Sequence, residues 1–146
     1  MTTAATPALR VAMIGYAFMG AAHSQAWRTA GHVAELPLRP EMAVVVGRRA
    51  DAVARAADHL GWSESDVDWH RVIERDDIDL VDICTPGDTH AEIAQAALAA
   101  GKHVLCEKPL ANTVAQAEAM GAAARQAPTL QAMVGFTYRR TPAVAL

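Results

Sequence analysis

The sequence predicts a doubly wound α/β domain: a parallel sheet with helices on both faces. Three observations carry this. Short apolar runs alternate with alanine-rich segments along most of the chain. The runs are too continuously apolar to leave one face in water, which is the pattern of strands buried on both sides. Glycine or proline punctuates the segments at Gly31, Gly61, Pro86, Gly101 and Pro109.

Each element follows from local chemistry. Arg10–Gly15 (RVAMIG) is a buried strand that ends on a glycine. Gly20–Ala30 is a helix with Gly31 at the position after its C-cap. Ala43–Gly47 (AVVVG) is a β-branched second strand. Asp51 is placed to cap a helix running to Leu60, which Gly61 closes. Trp62–Asp79 is less regular, with a short helix at His70–Arg75. Leu80–Thr85 (LVDICT) is the next strand, stopped by Pro86, and His90–Ala100 the helix after it. His103–Glu107 is a strand stopped by Pro109, Thr113–Gln126 a helix, and Leu130–Phe136 the last strand.

The composition belongs to a globular protein. The 146 residues are the length of one domain, 52% hydrophobic and 20% charged. A net charge of −3 speaks against a nucleic-acid footprint, which needs a basic patch. It offers no polybasic signal for a membrane either. Two cysteines are too few for a disulfide scaffold. Met1–Leu9 carries Pro7 and lacks the apolar core of a signal peptide. The expectation is a cytoplasmic domain without nucleic-acid or membrane partners. Pro142 stands where a helix would begin, with four residues after it, which points to a truncated chain.

The first candidate site is the loop Gly15-Tyr16-Ala17-Phe18-Met19-Gly20, between a predicted strand and a predicted helix. Such a loop cradles a dinucleotide pyrophosphate: one glycine makes the tight turn, and another lets helix and strand pack closely. The free N–H groups at the helix start then face the anion. Ala17 departs from the pattern, because the middle glycine normally lets the phosphate approach the backbone. An ordinary glycine-bounded turn is the plainer alternative. The second strand ends in Gly47-Arg48-Arg49 where an acid would hold a ribose 2′-hydroxyl. Two guanidiniums suit a 2′-phosphate, so the cofactor is NAD(P) with a lean to NADP, although Asp51 is an alternative partner for them.

Two further motifs fall at carboxyl ends of strands, where open α/β sheets bind ligands. They are Cys84-Thr85-Pro86-Gly87-Asp88-Thr89-His90 and Cys106-Glu107-Lys108-Pro109-Leu110. With VAMIGYAFMG and VGFTYRRTPAVAL, in this order and spacing, the chain resembles the Gfo/Idh/MocA family of glucose-fructose oxidoreductase and inositol dehydrogenase relatives. The resemblance implies an NAD(P)-dependent oxidoreductase acting on a sugar, polyol or inositol-like compound. It implies that Gly15, Ala17, Phe18, Met19 and Gly20 form the pyrophosphate loop, and that Thr85, Pro86 and His90 line the nicotinamide side with Glu107. Glu107 and Lys108 match the active-site pair, Lys108 bonding the substrate hydroxyl. The bond before Pro109 matches a candidate cis peptide. Tyr138 and Arg139 match the segment that leaves the nucleotide domain.

The resemblance also implies a second α/β domain carrying an Asp-x-x-x-His pair, whose histidine is the general acid/base. Asp66 and His70 have that spacing but precede the Glu-Lys-Pro motif, so both read as surface or local contacts. Residues 1–146 alone are then expected to bind dinucleotide weakly and turn over little, and to self-associate through the surface left bare. A stand-alone dinucleotide-binding module or sensor remains open, and S-adenosylmethionine is a weaker ligand. No metal site is expected, because the histidines are scattered singly. Apart from His90 they read as structural or surface residues, as the tryptophans read as packing and Cys84 and Cys106 as free, buried thiols.

Overall fold

The structure is a computed structural model and describes residues 6–144. Its elements are β1 (Ala8–Ile14), α1 (Phe18–Val33), β2 (Arg39–Val46), α2 (Ala50–Leu60), β3 (Glu64–Asp66), α3 (Trp69–Ile73), β4 (Leu80–Ile83), α4 (His90–Ala99), β5 (His103–Cys106), α5 (Val114–Gln126) and β6 (Ala132–Val134). Two single turns of 3-10 helix follow, at Thr137–Arg140 and Pro142–Val144. Six parallel strands form one sheet in the order β3-β2-β1-β4-β5-β6. The order reverses between β1 and β4, which opens a crevice at the carboxyl ends of these two strands.

Register aligns those ends. Val46, Ile14, Ile83, Cys106 and Val134 stand abreast across β2, β1, β4, β5 and β6. The ladder continues one residue further, with Gly15 N–H donating to Val46 O, Cys84 N–H to Ile14 O, Glu107 N–H to Ile83 O and Gly135 N–H to Cys106 O. Gly15, Cys84, Glu107 and Gly135 therefore form a rim just beyond the sheet.

The core divides by face. Val11, Met13 and Val45 pack with Val53, Ala57 and Leu60 of α2. Ala12, Ile14, Val44, Val81 and Ile83 pack on the other face with Val72 of α3, Ile93 and Ala97 of α4 and Met120 of α5. This is the two-sided cover expected from the apolar runs. On the α1 face the cover ends at β4. Leu105 and Met133, on β5 and β6, line a groove of about 830 Å³ whose opposite wall is Met19, Ala22, Ala26, Trp27 and Ala30 of α1.

Several boundaries differ from the sequence expectation. Helix α1 continues through Gly31 to Val33, and a Cβ at Gly31 would meet nothing, so glycine does not stop it there. Strand β2 starts four residues early and runs through Pro40. Arg39 N–H bonds Pro7 O, so Pro40 turns its missing donor away from β1, toward an edge that β3 does not reach. Arg49, not Asp51, is the N-cap of α2; Asp51 lies in the first turn and pairs with Arg49 and Arg55. The short strand β3 was not anticipated, because Glu-Ser-Asp has neither apolar character nor length. Gly61 and Gly101 do take positive φ at helix ends, and Thr113 forms a capping box with Gln116. Among the described residues no helix is long and apolar enough to cross a membrane.

Candidate functional site

The glycine loop sits at the switch point. Gly15 has φ +98°, and a Cβ there would stand 2.8 Å from Cys84 O, so a side chain is excluded twice. A Cβ on Gly20 would run into Gly15 O, so this glycine lets α1 start directly against the turn. Ala17 is the N-cap of α1 with φ −72°, a conformation any residue adopts. Alanine is therefore unstrained there and narrows only the approach of a ligand. No side chain caps the helix and no acid occupies its first turn, which leaves the start electropositive. Phe18 is exposed, and Met19 turns into the groove. This cradle fits a dinucleotide pyrophosphate.

Gly47 ends β2 against the Tyr16 ring, which covers the space a Cβ would need. Arg48 and Arg49 are exposed, and Arg49 is turned to Asp51 at 3.4 Å.

The loops after β4 and β5 are tied together. His90 is buried, with Nε2 2.8 Å from Thr85 O and Nδ1 3.0 Å from Pro109 O. It joins the two loops, its side chain buried between them and both ring nitrogens turned to backbone carbonyls. Thr89 Oγ1 donates to Thr85 Oγ1 at 2.7 Å and reaches Pro86 O at 2.9 Å; Pro86 is exposed. The Lys108–Pro109 bond is cis.

Glu107 is buried on the rim and Lys108 points outward. Glu107 Oε2 accepts the Lys108 backbone N–H at 3.1 Å and lies 3.8 Å from Lys108 Nζ. A Cβ on Gly135 would stand 2.7 Å from Glu107 Oε1, so this glycine makes room for the carboxylate.

Beneath Glu107 lies a group that sequence reasoning missed. Asp82 is fully buried in β4, between Met13 and Leu105 of its neighbours. It accepts a hydrogen bond from Trp27 Nε1 at 2.7 Å and lies 3.0 Å from His23 Nδ1. His23 Nε2 lies 3.2 Å from Glu107 Oε1. The hydrogen bond to Asp82 raises the His23 pKa above its usual value against the opposing effect of burial, helped by the Asp82 charge and by Glu107. His23 and Trp27 are one helical turn apart on α1, so both reach the same strand residue. The available signal was the acid inside LVDICT, since a buried carboxylate demands partners. Trp27 therefore does more than pack, and His23 belongs to the site.

His23, Asp82 and Cys84 bring potential metal-binding atoms within 4.8 Å. Without an ion the three groups already satisfy one another, His23 and Cys84 both facing Asp82. Burial and the Asp82 charge push the Cys84 thiol far up, and its S–H donates to Asp82 Oδ1 at 3.6 Å. Cys106 is likewise buried, free and pushed up to about 12. Asp66 and His70 are local, as expected: Asp66 pairs with Arg71, and His70 stacks on Trp69.

The family model for the oxidoreductase family with an NAD-binding Rossmann fold, Gfo/Idh/MocA, matches residues 9–136. The chain belongs to this family. It is 45% identical over 139 residues to levoglucosan dehydrogenase of Pseudarthrobacter phenanthrenivorans, covering 94% of this chain and 35% of that protein. An inositol 2-dehydrogenase of Paracoccus denitrificans is 38% identical over 94 residues, 64% of this chain and 28% of its own length. Among solved structures, an oxidoreductase domain protein from Kribbella flavida superposes with a TM-score of 0.92 at 64% identity, over 95% of this chain and 38% of that one. Levoglucosan dehydrogenase in complex with NADH and levoglucosan gives 0.91 at 45%, over 94% and 37%. The chain thus matches between 28% and 38% of the length of these relatives, the part that holds the NAD-binding Rossmann fold.

Proposed function

We propose that this chain is the nucleotide-binding half of an NAD(P)-dependent oxidoreductase that moves hydride between nicotinamide and a sugar, polyol or inositol-like substrate. The observation that carries it is the glycine cradle at the β1/β4 switch point, with the Glu107–Lys108 pair one strand further along the same rim. When bound, the nicotinamide supplies the hydride chemistry itself. The chain's residues bind and orient. Gly15, Ala17, Phe18, Met19 and Gly20 offer backbone to the pyrophosphate, and Thr85 and Pro86 border the nicotinamide side with Glu107. Lys108, exposed and anchored through Glu107, hydrogen-bonds the substrate hydroxyl as a compact cation. A general base is not among these residues, so residues 1–146 by themselves bind dinucleotide and catalyse little.

Arg48 and Arg49 give the cofactor choice its lean to NADP, since no carboxylate stands at the end of β2 to hold a 2′-hydroxyl. The two free, buried cysteines are in keeping with a cytoplasmic location. Calorimetric titration of the intact protein with NAD+ and NADP+ tests the binding half of the proposal. Reduction of the bound nicotinamide by a panel of sugars, anhydrosugars and inositols tests the chemistry. A protein that binds neither dinucleotide overturns the proposal.

A further inference from the structure

We propose that His23 is a positioning residue, an imidazolium clamped between Asp82 and Glu107 that fixes Glu107 and through it sets Lys108 at the rim. The proposal rests on the dehydrogenase function given above for its kinetic consequence, though not for its structural one.

Both ring nitrogens of His23 face carboxylate oxygens, Nδ1 at 3.0 Å from Asp82 and Nε2 at 3.2 Å from Glu107. A carboxylate only accepts hydrogen bonds, and a neutral imidazole carries a single N–H. Satisfying both contacts with both acids ionised takes the doubly protonated ring. The four groups then alternate in sign from the interior outward: Asp82 negative, His23 positive, Glu107 negative, Lys108 positive. Side-chain exposure along the series is 0%, 14%, 4% and 56%, so a balanced chain of charge leads from the dry core to an exposed ammonium. Without the imidazolium, two buried carboxylates would share one pocket, which is costly unless one takes up a proton. No buried side-chain polar atom of the described residues lacks a partner, so the clamp is complete as it stands.

The surroundings agree. Asp82 from β4 and Cys84 just beyond it face the ring; from the end of β5, Glu107 does, with Lys108 and Cys106 beside it; Arg139 lines the same groove from the turn after β6. Both thiols are held neutral by burial next to these acids and add no charge. The Glu107 carboxylate has no freedom to leave. His23 holds Oε1, the Lys108 N–H holds Oε2, and the Gly135 backbone closes against it.

The decisive measurement is the nitrogen NMR signature of the His23 ring in the intact protein across neutral pH. The expected result is two protonated nitrogens on this ring at about pH 7.5, a unit above the ordinary imidazole value of about 6.5. A ring with one bare nitrogen at that pH overturns the clamp. The second arm compares pH profiles of kcat/KM for wild type and His23→Gln. The acid limb is expected to move to higher pH, because two like charges left in one buried pocket favour uptake of a proton. A Tm loss with an unmoved limb assigns His23 a purely structural role and overturns the positioning half. If His23→Gln does not fold, the same limb is followed in Trp27→Phe, which loosens Asp82 alone and is expected to shift it in the same direction by less. A wild type that binds dinucleotide but turns over no polyol brings down the functional proposal, and the NMR result still decides the clamp.

Discussion

Helix α1 serves two regions that are built on opposite plans. At its first turn the Gly15–Gly20 loop is made of backbone, and its residues matter for what they lack. One turn further, the Asp82–His23–Glu107 cluster is made of side chains from three elements, and it matters for charges that no backbone supplies. The loop tolerates nothing larger at Gly15 and Gly20, while its exposed members Ala17 and Phe18 have room. The cluster tolerates no deletion, because each member neutralises or bonds the next. Local sterics thus govern one region and electrostatic mutual dependence the other.

The largest effect expected is from breaking the cluster at its root. Asp82→Ala leaves the Trp27 N–H and the His23 ring without their acceptor, and a broken buried pair costs about 3–5 kcal/mol. Urea unfolding monitored by circular dichroism reads it. If Asp82→Ala loses less than about 1 kcal/mol, the two regions do not differ in the way argued.

Gly20→Ala tests the loop. Its Cβ meets Gly15 O, and both are backbone, so the start of α1 must shift. Overpacking of this kind costs about 1–3 kcal/mol, and dinucleotide affinity falls about 100-fold, near 3 kcal/mol. Calorimetry should find binding lost well before stability is. Ala17→Gly is the contrasting change at the same loop, expected to alter affinity by less than about tenfold, or 1.4 kcal/mol, because alanine is unstrained there.

A smaller effect sharpens the electrostatic side. The folded-state pKa of His23 is raised above its ordinary value by the Asp82 hydrogen bond and charge and by Glu107. Protonation therefore favours the folded state. The stabilisation is complete below the unfolded value of about 6.5 and is lost as pH rises through the folded value. Chemical denaturation midpoints should fall across that alkaline window in wild type and stay flatter in His23→Gln. Smallest of all is Arg48→Ala. An exposed guanidinium facing a 2′-phosphate is expected to contribute under about 1 kcal/mol, so the preference for NADP+ over NAD+ should drop about fivefold or less, as read by paired titrations.

Much of the fold was legible because parallel strands buried on both faces are written as unbroken apolar runs. AVVV and LVDIC announce themselves whatever their neighbours do. The left-handed Gly61 and Gly101 are local chemistry and fell at the helix ends where they were expected, and Thr113 opens its helix with a capping box. What misled was local chemistry overridden by packing. Gly31 looks like a stop, yet the helix passes through it. The second strand was expected from Ala43, yet it starts at Arg39 and passes through Pro40, whose blocked nitrogen faces an open edge. Glu64–Asp66 pairs with Val44–Val46 with no pattern of its own to announce it.

The same division runs through the site. The sequence by itself determined the glycine cradle, the Glu-Lys-Pro pair and the α/β order that sets both at strand ends, because turns and strand ends depend on neighbours in the chain. His23, Trp27, Asp82 and Glu107 lie on α1, β4 and the end of β5, up to 84 residues apart. Only the tertiary structure brought them together, since strand order decides that β4 lies between β1 and β5. An acid in the middle of an apolar strand signalled that a partner must exist. Which helix would supply it was a matter of packing, and no spacing along the chain encodes that.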